Sequence, residues 1–286
     1  MVVAVRADTS LRVRHARSIA GVFVTALCAG SAAAALLLIL GYVVRAGAQA
    51  INVPFLTQVP HPVGVTGGGV ANAIVGSAIT VGIATVMAAP VGVLTGVYLA
   101  TFGRGVVPSS IRFLSDVLAG VPSIAIGLFA YVVLVAPFKH FSALSGSFAF
   151  AVLMLPVVIR TTEEAIRSVP TTIREGALAL GLSLYATTIF VVLPAARSAI
   201  VTGLLLAIAR VTGETAPLLF TAFGSQFWEL NPNNPMAQLP LQIFNYAISP
   251  YPLWHQQAWG GALILIVVVL ILNALARAAL KTRVIR

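Results

Sequence analysis

Long apolar runs alternate with short polar segments along the chain, and the lengths of these runs predict the fold. A helix needs about 20 mostly apolar residues to cross the roughly 30 Å hydrocarbon layer of a membrane. Six apolar segments are candidates, of which the fourth is short and contains Pro156. They cover residues 19–44, 70–100, 117–136, 147–159, 198–221 and 259–276. The pattern predicts an all-α integral membrane protein with six transmembrane helices.

The composition supports a membrane location. Of the 286 residues, 59% are hydrophobic and only 8% are charged, and the mean hydropathy is +1.01. These values lie outside the range of soluble globular domains. The single cysteine, Cys28, lies in the first apolar run. An intrachain disulfide or a cysteine cluster is therefore excluded.

Basic residues concentrate in alternate loops, which predicts the orientation of the chain. Cytoplasmic loops of membrane proteins carry an excess of Lys and Arg. The N-terminal segment, the second and fourth loops and the C-terminal tail contain Arg6, Arg12, Arg14, Arg17, Arg104, Arg112, Arg160, Arg167, Arg174, Arg277, Lys281, Arg283 and Arg286. Both termini are therefore expected on the cytoplasmic side. The net charge of +10 reflects this topology and anionic lipid headgroups rather than nucleic-acid binding.

The first apolar run has an alternative interpretation. An Arg-rich start followed by an apolar stretch is also typical of a cleaved secretory signal, and residues 46–48 form a candidate processing site. The run is longer than the about 7–15 residues usual for such signals. We therefore interpret residues 19–44 as the first transmembrane helix and keep the cleaved signal as the alternative.

The sequence excludes several classes of enzyme. A phosphate-binding loop of the Walker type needs a Gly-Lys pair, but the only lysines, Lys139 and Lys281, follow Phe138 and Leu280. The His-Glu-x-x-His, Cys-x-x-Cys and Gly-x-Ser-x-Gly motifs are likewise absent. The chain is thus predicted not to be an enzyme. Energy for any pumping must come from an ion gradient or from another subunit.

The segment 160–197 contains the largest block of charged side chains. These are Arg160, Glu163, Glu164, Arg167, Arg174 and Glu175. Pro170 suits the first turn of a helix and Gly181 suits its end. Residues 170–180 are therefore predicted to form a short helix.

The predicted short helix has Ile173, Ala177 and Leu180 on one face. Gly181 would allow a sharp turn into a second short helix that ends near residues 193–194. The segment is therefore predicted to be a helix-turn-helix that lies on the membrane surface. An ordinary solvated loop is the alternative.

Arg210 and Glu214 are the charged residues within the fifth apolar segment. A spacing of four places both side chains on one face of a helix, about one turn apart. An ionised group near the bilayer centre costs about 2.5–3.5 kcal/mol, so both are expected to face the bundle interior. Two interpretations stay open: a buried ion pair that fixes helix packing, or a transport pathway in which the guanidinium binds an oxyanion. Gly213 and Pro217 are expected to thin and kink this helix.

Several shorter features are expected near helix ends. Asp116 is placed to cap the third helix, with a subunit contact as the alternative. Residues 231–235 predict a turn, and residues 239–247 predict an interfacial helix. Asn72 and Ser77 either line a pathway or form a polar helix start.

Two motifs resemble known permeases. Glu175, Ala177 and Gly181, followed by Leu193 and Pro194, resemble the EAA loop of ABC importer permeases, which inserts into a groove of the ATPase subunit. The run Ala-Arg-Val-Thr-Gly-Glu-Thr-Ala-Pro and the residues after it, up to position 228, resemble the PstA-type permeases of phosphate-specific ABC importers. Similar runs occur at residues 67–77, 116–124, 155–164 and 239–244. The resemblance covers about residues 67–277.

This resemblance implies a type I ABC importer permease with a cytoplasmic coupling helix, in an ATP-driven importer of inorganic phosphate of the bacterial plasma (inner) membrane. The implied partners are a PstC-type permease that shares the translocation pathway, two PstB-type ATPase subunits and a PstS-type phosphate-binding protein. ATP and Mg would bind to the ATPase subunits, and this chain would bind no cofactor. The implied sites are Arg210 and Glu214 for the translocation pathway, and Glu175, Ala177, Gly181, Leu193 and Pro194 for the ATPase coupling loop.

The expected organisation follows from the spans and the resemblance. Residues 1–18 form a basic cytoplasmic tail, and residues 19–66 form the first transmembrane helix and an outer loop. Residues 67–277 form the permease core with the coupling loop 160–197, and residues 278–286 form a second cytoplasmic tail. An ion-coupled transporter or channel that uses Arg210 and Glu214 as a relay is the main alternative function. A membrane scaffold or sensor is another, and it would not need the charged pair.

Overall fold

The structure is a computed structural model that describes the backbone of residues 2–281 and the side chains of residues 11, 13–15 and 17–279. The described part of the chain is helical and contains no β-strand. Its helices are α1 (Val2–Ala48), α2 (Val53–Thr57), α3 (Ala71–Phe102), α4 (Val106–Gly120), α5 (Ser123–Phe138), α6 (Ala143–Arg167), α7 (Thr171–Ala179), α8 (Leu184–Thr212), α9 (Ala216–Thr221), α10 (Leu239–Ala247) and α11 (Pro252–Lys281). Single π-helical turns occur in α5 at Tyr131–Val135 and in α8 at Thr188–Val192.

The number of membrane spans agrees with the apolar pattern. Within the described residues, five helices are long and apolar enough to cross a membrane: α1, α3, α6, α8 and α11. Helices α4 and α5 pass the same test together, although they are bent by 103°. Counted as one broken span, this pair gives six. The prediction of an all-α membrane protein is confirmed.

The third span is broken, so the prediction of one continuous helix over residues 117–136 is wrong. Pro122 lacks a backbone N–H and disfavours a helical conformation at Val121, whose ψ is 130°. Because α4 begins at Val106, Asp116 lies inside that helix and does not cap its N-terminus. The carboxylate of Asp116 instead pairs with Arg160 of α6.

The fifth span begins earlier than predicted. Helix α8 starts at Leu184 and continues through residues 193–194, where a second short helix was expected to end. In a regular helix the ring of Pro194 would clash with the carbonyl of residue 190. The wider π turn at Thr188–Val192 lies at that place and accommodates the ring.

The same span also ends earlier than predicted. Gly213 caps α8 after Thr212, and Glu214 lies in the short link before α9. Pro217 occupies the first turn of α9, where its missing N–H is not needed. The predicted kink at Pro217 within a continuous helix is therefore wrong, because the helix has already ended.

Helix α6 is the centre of the bundle. It packs against α3, α4, α5, α8 and α9, and most of its apolar length is buried. Glycines permit the close approach: an added Cβ on Gly96 of α3 would lie 2.6 Å from the Cβ of Thr162. On Gly203 of α8 it would lie 2.5 Å from the Cβ of Thr161. These close approaches bring α3 and α8 tightly against α6.

Helix α1 stands largely apart from this bundle. Its described side chains from Leu11 to Leu38 are exposed, and only its C-terminal end packs, against α11. There Gly47 approaches the backbone of Trp259, and the rings of Tyr42 and Trp259 meet edge to face at 5.0 Å.

At the end of the bundle remote from α7, polar side chains of α3 hold the segment that precedes α10. Asn72 donates to the carbonyl of Ser225 at 3.1 Å, and Ser77 accepts the N–H of Leu239 at 2.7 Å. These bonds give Asn72 and Ser77 a structural role near the start of α3. The predicted helix 239–247 is confirmed, and it packs against α11 and α3. The predicted turn is also present, with the N–H of Asn234 donating to the carbonyl of residue 231 at 3.0 Å.

Candidate coupling helix and charged pair

Helix α7 ends in a Schellman motif, which explains the glycine of the EAA-like pattern. The N–H of Gly181 donates to the carbonyl of Leu178 at 2.9 Å, and the N–H of Leu182 donates to the carbonyl of Ala177 at 3.3 Å. Gly181 has φ +85°, a left-handed conformation in which a side chain would be strained. The end of α7 is therefore fixed by residue type, as the sequence predicts.

Helix α7 is seated on the start of α8 through one small side chain. Ala177 is buried, and α7 packs on the π turn at Thr188–Val192. Of the three residues predicted to share a face, only Ala177 is buried, since Ile173 is exposed and Leu180 is 87% exposed. Leu180 and the carboxylate of Glu175 are exposed on the outer surface of α7, whereas Ile173 also lines the gap toward α8. Such a mixed surface suits contact with a soluble protein.

Leu193 and Pro194 lie in α8 beneath this surface helix rather than in a loop. Leu193 packs against the cluster of Ala165, Ile166 and Val192, which joins the end of α6 to the start of α8. A small cavity of about 200 Å³ separates α7 from α8, and Pro170 and Ile173 are among its lining residues. The two halves of the EAA-like pattern are thus a surface helix and the span that supports it.

A buried charge cluster anchors the helix that leads into α7. Glu163 of α6 has a side chain only 3% exposed, and its Oε1 accepts from Arg112 of α4 at 2.8 Å and from Arg167 at 2.6 Å. Arg112 also donates to the carbonyl of Leu99 at the end of α3, at 2.8 Å. The cluster therefore ties the ends of α3, α4 and α6 together next to α7.

Sequence reasoning did not find this anchor. The spacing of Glu163 and Arg167 by four residues was a usable signal for a pair on one helix face. Arg112 lies 51 positions before Glu163, and no local pattern connects them. The second ion pair, between Asp116 and Arg160, was missed because Asp116 was interpreted as a cap.

Arg210 and Glu214 are close in sequence, but the structure does not place them on one face of a single helix. Arg210 lies in the last turn of α8 and is exposed, and Glu214 lies beyond the helix and is half-buried. Among the side chains that the structure describes, no hydrogen bond or ion pair joins the two. The expectation that Arg210 faces the interior of this chain's bundle is wrong, because Arg210 lies on its outer surface. A cation at a helix C-terminus is favoured by the helix dipole.

These features define a class of protein. The chain is a multi-pass membrane protein with a short surface helix between its fourth and fifth spans and two exposed arginines, Arg197 and Arg210, on the fifth span. It has the fold of a type I ABC importer permease. A subunit of the MetNI methionine ABC transporter in an inward-facing conformation superposes with a TM-score of 0.59, at 15% identity, over 72% of this chain and 94% of that chain.

Sequence comparison identifies the family. Residues 92–282 match the family described as binding-protein-dependent transport system inner membrane component. The phosphate transport system permease protein PstA of Yersinia pestis is 44% identical over 243 residues, which are 85% of this chain and 82% of that protein. PstA of Haemophilus influenzae is 45% identical over 240 residues, 84% of this chain and 85% of that protein. The chain belongs to this family of ABC importer permeases and, within it, to the PstA group.

Proposed function

We propose that the chain is the permease subunit through which an ATP-driven importer moves inorganic phosphate. The substrate is supported by the identity of 44–45% with permeases named for phosphate transport. The geometry that supports the transport mechanism is α7, a short helix that ends in a Schellman motif at Gly181 and is exposed on its outer side. Because the sequence has no nucleotide-binding loop, the work must reach the membrane through such a surface.

The proposed partners are those that the PstA-type resemblance implies. A PstC-type permease would complete the pathway, two PstB-type ATPases would bind ATP and Mg, and a PstS-type protein would deliver phosphate. The exposed surface of α7 that carries Glu175 and Leu180 would dock into one ATPase, with Ala177 packing the helix against α8 and Gly181 fixing its C-terminal end. The basic residues near α7 and at both termini support a cytoplasmic location for that end of the bundle.

Arg210 would belong to the pathway rather than to the core of this chain. A guanidinium on the apolar outer surface of α8 needs a polar environment, since its cost in hydrocarbon is about 2.5–3.5 kcal/mol. The surface between two permeases provides that environment, and the planar guanidinium there matches a tetrahedral oxyanion. Glu214, at the link after α8, would moderate the positive field so that phosphate is not held too tightly.

Uptake of labelled phosphate by the reconstituted complex in proteoliposomes tests this function. Uptake should require ATP and should resist competition by sulfate. Arg210→Ala should abolish uptake while the complex still assembles, and Arg197→Ala, at an exposed arginine near the middle of α8, should keep it. Transport by this chain without the ATPase subunits would contradict the proposal and favour an ion-coupled transporter.

A further inference from the structure

An apolar groove lies in the membrane-spanning part of the bundle, between α3 and α11. Both helices pack on α8, and the groove is the gap between them, with a volume of about 490 Å³. Ala78 and Gly82 of α3 line it and are exposed, and a Cβ added at Gly82 would meet no atom of the described residues within 4 Å. Protein interiors leave few voids larger than a water molecule. We therefore expect another molecule to complete the packing there.

The lining of the groove is hydrocarbon in character, because its hydroxyl groups are already bonded. These hydroxyls belong to Ser77, Thr85 and Thr212, and the other lining residues are aliphatic or glycine. The hydroxyl of Ser77 accepts the N–H of Leu239 at 2.7 Å. Those of Thr85 and Thr212 donate to carbonyls of their own helices at 2.8 and 2.7 Å. The groove can therefore bind an occupant only by shape and apolar contact, and a polar ion would lose its hydration there without compensation.

Contacts within the chain set the shape of the groove at the end remote from α7. Leu239 of α10 lies there and packs with Ile74 of α3 and Ile264 of α11 in one apolar cluster. The residue before it, Gln238, donates from Nε2 to Oγ1 of Thr80 on α3 at 2.6 Å. The walls are thus held by the protein itself, so the groove is preformed.

The depth of the groove matches the acyl region of one membrane leaflet. Trp259 of α11 meets Tyr42 of α1 at the end remote from α7, and such aromatic residues concentrate at the membrane interface. Ile264 and Leu272 of the lining follow Trp259 on the same helix, about 8 and 20 Å deeper at about 1.5 Å per residue. One leaflet contributes about half of the roughly 30 Å hydrocarbon layer. The groove therefore lies at the level of lipid tails rather than headgroups.

The position of Arg210 distinguishes lipid from protein as the occupant. Ile208 and Thr212 of α8 line the groove, and each is two residues from Arg210. Two residues correspond to about 200° around a helix, so Arg210 lies on nearly the opposite side of α8. This step rests on the proposed function, in which Arg210 faces the second permease. The groove then faces away from that permease and toward the bilayer.

We propose that the groove binds one acyl chain of a membrane phospholipid, from the leaflet remote from α7. The chain supplies the van der Waals contacts that Ala78 and Gly82 leave unmade, and it connects α3 with α11. Helices α3, α8 and α11 surround it on three sides. A lipid beside the exposed length of α1 touches a single helix. The lipid in the groove is therefore retained longer than the lipids that cover α1.

Photolabelling of the assembled complex tests this site. The complex is reconstituted in vesicles of phosphatidylethanolamine and phosphatidylglycerol that contain a phosphatidylcholine with a photoreactive diazirine in its acyl chain. It is irradiated in the vesicles and, in a second sample, after exchange into detergent, and adducts are mapped by mass spectrometry. Adducts on Val268 and Leu272 of the groove should survive the exchange. Adducts on Leu36, an exposed residue of α1 six positions before Tyr42 and at a similar depth, should be lost.

Gly82→Leu fills the groove, and α1 offers a matched control. Position 82 has open space for the new side chain, so the complex should assemble while the retained adducts on α11 fall to the level of α1. Gly30→Leu makes the same exchange at an exposed position of α1 with open space and should keep the adducts. Phospholipid added to the detergent should also raise the unfolding temperature of the wild-type complex. This shift should be smaller in Gly82→Leu, because leucine already occupies the space.

Three results overturn the site. Adducts on α11 that are lost on exchange as readily as those on α1 would identify ordinary surface lipid. No adducts on α11 even in the vesicles would show that protein covers the groove. Retained adducts that are undiminished in Gly82→Leu would place the lipid elsewhere. ATP-dependent phosphate uptake by the wild-type complex in any of these cases preserves the proposed function, and retained adducts in a complex without such uptake overturn that function alone.

Discussion

The buried carboxylate of Glu163 offers a quantitative test of the anchor next to α7. Glu163→Gln keeps the size of the side chain and removes the charge that holds Arg112 and Arg167. Removing one partner of a buried ion pair costs about 3–5 kcal/mol, because the other charge stays buried without compensation. The side chain of Arg112 is 20% exposed and keeps its bond to the carbonyl of Leu99. We therefore expect the lower end, about 3 kcal/mol.

The free energy of unfolding in mixed detergent micelles measures this effect. Asp116→Asn is the matched control, because its pair with Arg160 joins the same two helices but both side chains are substantially exposed. Pairs of this kind contribute about 1 kcal/mol or less. The double variant Arg112→Met with Glu163→Met should recover much of the loss, since the one charge left without its partner, on Arg167, is 56% exposed rather than buried. A cost for Glu163→Gln no greater than that for Asp116→Asn would refute the reasoning.

Three further predictions concern backbone shape, packing and pH. Gly181→Val should uncouple ATP hydrolysis from uptake, because φ +85° excludes a branched side chain; Gly176→Ala, with open space around its Cβ, should leave the ratio of the two rates unchanged. Gly203→Ala should lower the free energy of unfolding by about 1–3 kcal/mol through overpacking against Thr161, whereas Gly82→Ala, which meets no neighbour, should not. The pKa of Glu229 is lowered from its usual 4.5 chiefly by the backbone N–H of residue 231 and then by the amide of residue 234. Its contribution to the order of that turn should thus be complete above pH 4.5 and lost as the pH falls through the lower folded pKa; hydrogen exchange of the turn should show this dependence, and Glu229→Gln should abolish it.

The sequence could predict how many spans exist but not where each one ends. Membrane thickness fixes the length of an apolar run, so six runs indicate six spans. Proline did not mark the ends reliably. Pro122 breaks the third span, yet Pro90, Pro156 and Pro194 lie within helices. Whether a proline is tolerated depends on local π turns and on packing, which the sequence pattern does not display.

The candidate sites also contain some features that local sequence predicts and others that depend on contacts between distant residues. Gly181 was predictable because a left-handed helix end selects glycine from local geometry alone. The geometry of Arg210 and Glu214 was not, because it depended on whether α8 continued past Gly213. The contact of Arg112 with Glu163 depends on α4 and α6 meeting in space. Similarly, the pairing of Gln238 with Thr80 spans 158 positions, and no periodic pattern records it.

The link between α6 and α7 has a mechanical consequence. Only Ser168, Val169 and Pro170 separate the most buried helix of the bundle from the one on its surface, and the ring of Pro170 stiffens that joint. A link of three residues is too short to absorb a displacement of α7, so the displacement is transmitted to α6. If a bound ATPase moves α7, α6 would therefore tilt with it. The helices that pack against α6 would then move as well.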